Sequence, residues 1–175
     1  MTISSLLITS IFLSFLIGCF FNYFYPVKYK EEIVSIAQES GIEGGLIASV
    51  VNVESRFNEK ALSNKGAIGI MQVLPSTAEW VAQKYKIEYE KDKLFDGGYN
   101  IKIGSLYLAY LIDYFQDEKL GVCAYNAGQG NVSNWLKDPN LSKDGSHLDK
   151  VPFAETRDYV AKVYKNYNYY KNRYR

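Results

Sequence analysis

Hydrophobic positions recur at helical spacing along most of the chain, and polar or glycine breaks divide them into segments. The first segment, Leu6 to Phe24, mixes Leu, Ile and Phe with Ser, Thr, Gly, Cys, Tyr and one Asn, and no side chain is charged before Lys28. Pro26 ends it. From Lys28 to Ser40, Ile33, Ile36 and Ala37 share one face, and Gly41 suits a C-cap. Gly44 and Gly45 introduce Leu46 to Ser55, where Leu46, Ile47, Val50, Val51 and Val53 form a mostly apolar stretch. Its β-branched content would also suit a strand, but the spacing continues to Phe57 without a turn signal, which favours a helix.

Asn58 to Met71, with Gly66 and Gly69, has little periodicity and reads as a loop. Pro75 opens a helix that runs to Lys84. Asn100 to Phe115 is strongly amphipathic, with Ile101, Ile103, Leu106, Leu108, Leu111 and Ile112. Leu120 to Asn126 and Val132 to Leu136 are short helices separated by Ala127-Gly128; Leu141 to Lys150 is a polar loop, and Val151-Pro152 opens a long helix from about Phe153. No hairpin signal and no repeat appears. The pattern predicts a mainly α chain: an N-terminal hydrophobic helix within residues 1–27, then one helical domain over residues 28–175.

Composition narrows the function classes. An apolar fraction of 47% with 22% charged residues excludes a disordered chain, and a net charge of +1 argues against a nucleic-acid-binding surface. Charge is uneven: residues 28–155 carry 14 basic and 18 acidic side chains, residues 156–175 carry 6 and 1. That basic end complements a helix dipole or meets an anionic polymer or headgroup. The 16 tyrosines reflect biased base composition or a carbohydrate cleft, because a Tyr ring offers an apolar face and a hydroxyl together. Cys19 and Cys123 make no disulfide framework.

The uncharged leader is long enough for a membrane anchor through residues 6–25, with a cleaved export signal and a buried helix as alternatives. Leu16-Ile17-Gly18-Cys19 resembles a lipoprotein processing box with Cys19 as the lipidated residue. Lys28 and Lys30, on the C-terminal flank, would by themselves leave the domain in the cytoplasm.

Four blocks carry a resemblance. They are Glu54-Ser55-Arg56-Phe57-Asn58 with Ala61 to Ala78; Asn100-Ile101 with Gly104, Tyr107 and Leu108; Ala124-Tyr125-Asn126-Ala127-Gly128 with Gly130 and Val132; and Val151-Pro152-Phe153 with Glu155-Thr156 and Tyr159-Val160. In this order they resemble the soluble-lytic-transglycosylase type of murein-cleaving domain, over residues 30–165 or so. Ile70, Gln129 and Val151 depart from the family's commoner residues conservatively.

The resemblance implies a lysozyme-like helical domain that is a peptidoglycan lytic transglycosylase. It would cut the β-1,4 bond between N-acetylmuramic acid and N-acetylglucosamine and leave 1,6-anhydro-muramyl ends without consuming water. It also implies an extracytoplasmic domain on a single N-terminal anchor, with secreted and lipoprotein forms as variants. The expected partner is the peptidoglycan glycan strand; protein partners are left open. A hydrolytic muramidase and a glycan-binding module are the rival readings.

Glu54 is the expected catalytic residue, acid first and base second, because a carboxyl at the end of an apolar helix loses solvation and holds its proton near neutrality. The resemblance assigns supporting or substrate-binding roles to Ser63, Met71, Gln72, Tyr125, Asn126 and Glu155. Tyr125 is expected to point its hydroxyl at Glu54, Asn126 to secure a helix end, and Glu155 to order the cleft, bind a peptide stem or pair with an Arg. Glu59, the other acid between Phe57 and Gln72, is expected to face solvent. His147 is the only histidine and has no Cys or His partner, so neither metal nor cofactor is expected.

Overall fold

The computed structural model describes residues 3–175, with side chains from residue 10 onward; the start of the expected leader, residues 1–2, lies outside the described residues. Eight α-helices follow one another: α1 (Ile3–Phe24), α2 (Lys30–Ser40), α3 (Gly44–Ser55), α4 (Pro75–Tyr85), α5 (Gly97–Phe115), α6 (Glu118–Ala127), α7 (Gln129–Lys137) and α8 (Ala154–Tyr170). A single 3₁₀ turn covers Lys91–Phe95.

The ends of these helices follow local chemistry. Asp96 accepts the amide of Tyr99 at 2.8 Å and Asp117 accepts that of Leu120 at 2.7 Å, each side chain satisfying a free donor of the first turn. These caps start α5 and α6 two to three residues earlier than apolar spacing alone predicts. Gly41 closes α2 in the left-handed conformation with its amide on Ala37. The β-branched stretch after Gly45 is helical: residues from Gly44 to Asn52 are all buried, so burial on every side outweighs its strand propensity.

Helix α3 is the central element. It lies against α2, α5 and, most extensively, α8, while α5 supports α6, α2 and α4. Leu46, Ile47, Val50, Ile103, Leu108, Leu111 and Val163 are fully buried between them. Asn58 to Met71 forms no strand, although antiparallel bridges pair Ile68 with Leu62 and with Val73 and fold the loop back on itself.

The membrane expectation is corrected here. An N-terminal helix forms, but among the described residues no helix is long and apolar enough to cross a membrane. Along α1, polar and small residues interrupt the apolar ones. Ser10, Ser14, Gly18 and Asn22 also recur along it every fourth residue. The anchor through residues 6–25, and the placement of the domain that rested on it, are therefore not supported.

The end of α1 instead packs on the body. Phe21 and Tyr25 stack on Tyr169 at centroid distances of 6.0 and 4.5 Å. Asn52 of α3 donates to the Phe24 carbonyl at 3.0 Å, the Tyr170 hydroxyl to that of Pro26 at 3.0 Å, and the Tyr174 hydroxyl to that of Lys28 at 2.8 Å.

Candidate active site

The site forms where α3 ends. Arg56 and Phe57 both take positive φ, 54° and 62°, which stops the helix and turns the chain sharply into the loop of residues 58–73. Phe57 is buried and meets Tyr170 edge-on, so the turn is held by packing. Glu54 stands on the last turn before it, half-buried.

Tyr159 of α8 donates its hydroxyl to Glu54 Oε1 at 2.8 Å. Burial pushes the Glu54 carboxyl up to about 7 from 4.5; the Tyr159 hydrogen bond pulls it down, and the nearby Glu155 charge raises it further. The Tyr125 hydroxyl is also close enough to feel Glu54: its own pKa is raised well above 10, first by burial and then by the Glu54 charge. Glu54 therefore keeps a proton far higher in pH than an ordinary carboxyl, with the Tyr159 hydroxyl on it, an arrangement that can serve a proton transfer.

The loop opposite is tied at several points. Ser55 donates to the Ile70 carbonyl at 2.7 Å. Asn100 of α5 is fully buried: its Oδ1 accepts from the Met71 amide at 2.9 Å, and its Nδ2 donates to the carbonyls of Ile68 (2.9 Å) and Leu94 (2.8 Å). Gly69 sits against this knot with φ 79°; a Cβ there would fall 2.2 Å from the Leu94 carbonyl oxygen.

The residues assigned by resemblance divide by what they touch. The Tyr125 hydroxyl donates to the Met71 carbonyl at 2.9 Å, and the expected bond to Glu54 comes from Tyr159 instead. Met71 is fully buried, so it supports the site from below. Gln72, at φ 51°, turns its amide inward and donates to the carbonyls of Gly69 (2.9 Å) and Ala61 (3.2 Å). Ser63 caps the loop's inner turn by accepting the Ala67 amide at 2.9 Å. Asn126 accepts the Thr156 hydroxyl at 2.7 Å and links the end of α6 to the start of α8. Glu155 is exposed and makes no ion pair among the described residues; its charge acts on Glu54 through space. Cys19 is a free, exposed cysteine on α1.

Two contributors were not singled out from the sequence. Tyr159 lay inside a motif block, but its role needs α8 to cross α3. Asn100 also lay inside one, and a polar residue at the start of an apolar helical stripe was the available signal. Glu59, expected in solvent, is half-buried with its carboxylate engaged.

Beyond Tyr125 a wall of rings continues: Tyr107 lies 5.6 Å from Tyr125, and Trp80 lies 6.3 Å from Tyr107 and 4.7 Å from Tyr110. Ser76, Thr77, Trp80, Tyr107, Tyr110 and Gln129 enclose a hollow of about 290 Å³. Apolar faces fringed by hydroxyls and an amide suit a sugar ring. A larger cavity, about 700 Å³, is lined by Leu120, Cys123, Val160 and Tyr164. At 100° per residue those positions point roughly away from Tyr125 and Tyr159, so it is not part of this site.

The family model for the transglycosylase SLT domain matches residues 31–147. The chain belongs to that family. The SLT-domain relatives include the soluble lytic murein transglycosylase of Salmonella typhimurium, 31% identical over 152 residues, covering 85% of this chain and 24% of that protein. A membrane-bound lytic murein transglycosylase C of Actinobacillus pleuropneumoniae is 35% identical over 161 residues, covering 79% of this chain and 44% of its own length. Among solved structures, the 70 kDa soluble lytic transglycosylase of Escherichia coli superposes with a TM-score of 0.75 at 30% identity, over 85% of this chain and 25% of that one. An inactive glutamate-to-glutamine mutant of the Pseudomonas aeruginosa enzyme gives 0.77 at 30% identity, over 87% and 25%. The chain spans about a quarter of the length of the soluble relatives, and the lysozyme-like helical fold is the shared part.

Proposed function

We propose that this SLT-domain protein is a peptidoglycan lytic transglycosylase in which Glu54 acts as acid and then as base. The observation that carries the reading is the half-buried Glu54, whose carboxyl is held by Tyr159 and pushed up to about 7 by loss of solvation. The names of the relatives support the substrate, and the Pseudomonas aeruginosa mutant, inactive after one glutamate-to-glutamine change, supports a reaction that hangs on a single carboxyl.

The steps balance without water. Protonated Glu54 gives its proton to the glycosidic oxygen as the C1–O bond of N-acetylmuramic acid breaks. The substrate's own N-acetyl oxygen steadies the positive charge that develops at C1. The Glu54 carboxylate then takes the proton of the C6 hydroxyl, and O6 bonds to C1 to close the 1,6-anhydro ring. Glu54 ends as it began, protonated.

Supporting it, Ser63, Gln72 and Tyr125 fasten the loop of residues 58–73 and its buried Met71, and Asn126 ties the end of α6 to the start of α8, the helix that carries Tyr159 and Glu155. Tyr107, Trp80 and Tyr110 extend the glycan path.

Digestion of purified peptidoglycan by the full chain and by Glu54→Gln, followed by mass spectrometry of the muropeptides, tests the proposal. Anhydro-muramyl ends from the parent are expected, with at least a roughly thousandfold loss in the variant. Free reducing ends would replace the reading with hydrolysis. No release by the parent from intact and sonicated walls would overturn it.

A further inference from the structure

Glu59 stands on the first turn of the loop that faces Glu54, and three segments meet on it. Its Oε1 accepts the Gly97 amide at 3.2 Å and the Tyr29 hydroxyl. Gly97 opens α5, so the carboxylate also sits at the positive end of that helix. The three groups are in close contact: a Cβ on Gly97 would lie 2.6 Å from Glu59 Oε1 and 2.7 Å from the Tyr29 ring.

Tyr29 precedes α2 and lies outside the span that the family model matches. Its backbone takes φ 53°, a left-handed conformation that costs a side-chain-bearing residue about 1 kcal/mol. That conformation aims the ring at Glu59 from a segment held on its other side by Tyr170 and Tyr174. Burial and the Glu59 charge raise the Tyr29 pKa well beyond its ordinary value, so the hydroxyl stays a donor.

From Glu59 the path into the site is short. Two residues on, the Ala61 carbonyl accepts the Gly69 amide at 2.8 Å and the Gln72 side chain at 3.2 Å. Between those two residues runs the backbone to Met71, whose carbonyl Tyr125 grips beside Glu54. A shift of the Glu59 turn therefore reaches the wall against which the catalytic carboxyl is desolvated.

We propose that Glu59 is a positioning residue for the loop opposite Glu54, and that Tyr29, in the segment before α2, holds it there. This rests on the transglycosylase reading for its kinetic consequence but not for its structural one. The segment joining α1 to α2 then belongs to the active-site scaffold.

The test uses Glu59→Ala, Glu59→Gln and Tyr29→Phe in the full chain, with turnover across pH and amide hydrogen exchange at Gly69, Gln72 and Val73. Glu59→Ala is expected to lower kcat about tenfold with KM within about twofold, because a loosened wall misplaces the acid rather than weakening distant glycan contacts. Its high-pH limb should move to lower pH as water reaches Glu54, and loop exchange should rise about tenfold or more. Glutamine keeps an acceptor for both donors and should recover most of the lost rate; Tyr29→Phe should fall between.

Parent-like kcat and loop exchange in Glu59→Ala overturn the proposal. So does a rate loss that only tracks the unfolded fraction, with an unmoved pH limb and exchange raised equally through α3 and α5. If the parent makes no anhydro product, the assigned reaction falls, and the exchange measurement still decides the role of Glu59.

Discussion

Glu54 carries the proposed chemistry because its surroundings favour one protonation state. With a pKa pushed up to about 7, it is a protonated acid in acidic and neutral solution and is lost as a donor above that. The rate is expected to fall above about pH 7. The Tyr159 hydroxyl stabilises the carboxylate and holds that pKa down, so Tyr159→Phe should move the high-pH limb upward; a limb that stays or moves down would contradict the arrangement.

The same shift has a stability consequence. A group whose folded pKa lies above its unfolded value contributes stability that is fully present below about 4.5 and lost as pH rises through about 7. Glu54→Gln, which cannot ionise, should become the more stable protein above neutral pH, by on the order of 3 kcal/mol for a shift from 4.5 to about 7. Denaturant unfolding at pH 5 and pH 8 reads it, and an equal difference at both would refute it. At this scale the position of Glu54 was legible, since motif and apolar helix agree on a carboxyl at the end of α3 that loses solvation. The donor was not: Tyr125 and Tyr159 are both motif tyrosines, and which of them reaches the carboxyl depends on how far α8 leans across α3.

Among the elements, α5 organises the site although it holds no reacting group. Its buried Asn100 replaces the strands that the loop of residues 58–73 lacks, by satisfying the Met71 amide and the Ile68 and Leu94 carbonyls together. Asn100→Ala would leave the Met71 amide and the Leu94 carbonyl unpaired in a dry interior, at about 1–3 kcal/mol each, while the Ile68 carbonyl keeps the Val73 amide at 3.0 Å. It should lower the midpoint of urea unfolding clearly and reduce turnover even where the protein is folded. A turnover equal to the parent's at full occupancy of the native state would show that the knot is unrelated to function. Helices were legible wherever an apolar stripe ran long, as in α2, α5 and α8. Their starts were less so, because Asp96 and Asp117 extend α5 and α6 through side-chain caps that apolar spacing does not register. The tied loop was unreadable for a related reason: its partners, Ser55, Asn100 and Tyr125, lie on three separate helices.

Across the whole molecule, aromatic residues close the body around its own entry segment. Tyr170 is fully buried, touches the rings of Phe57, Tyr25 and Tyr174, and bonds the Pro26 carbonyl. Tyr170→Ala should cost about 4 kcal/mol and lower the Tm by on the order of 10 °C. Calorimetry checks this, and a change below about 1 kcal/mol would mean that the collar is decorative. The abundance of tyrosine left base composition and a sugar cleft as alternatives; several of these rings serve neither, and fasten α8 to the segment before α2.

The bond from Tyr159 to Glu54 joins residues 105 positions apart. During synthesis α3 therefore exists long before α8 does, and until α8 arrives Glu54 lacks both the Tyr159 hydroxyl and the burial that α8 contributes. A growing or clipped chain that lacks α8 has no hydroxyl to hold Glu54, so on the proposed reading its acid is complete only once that stretch has been made and folded into place.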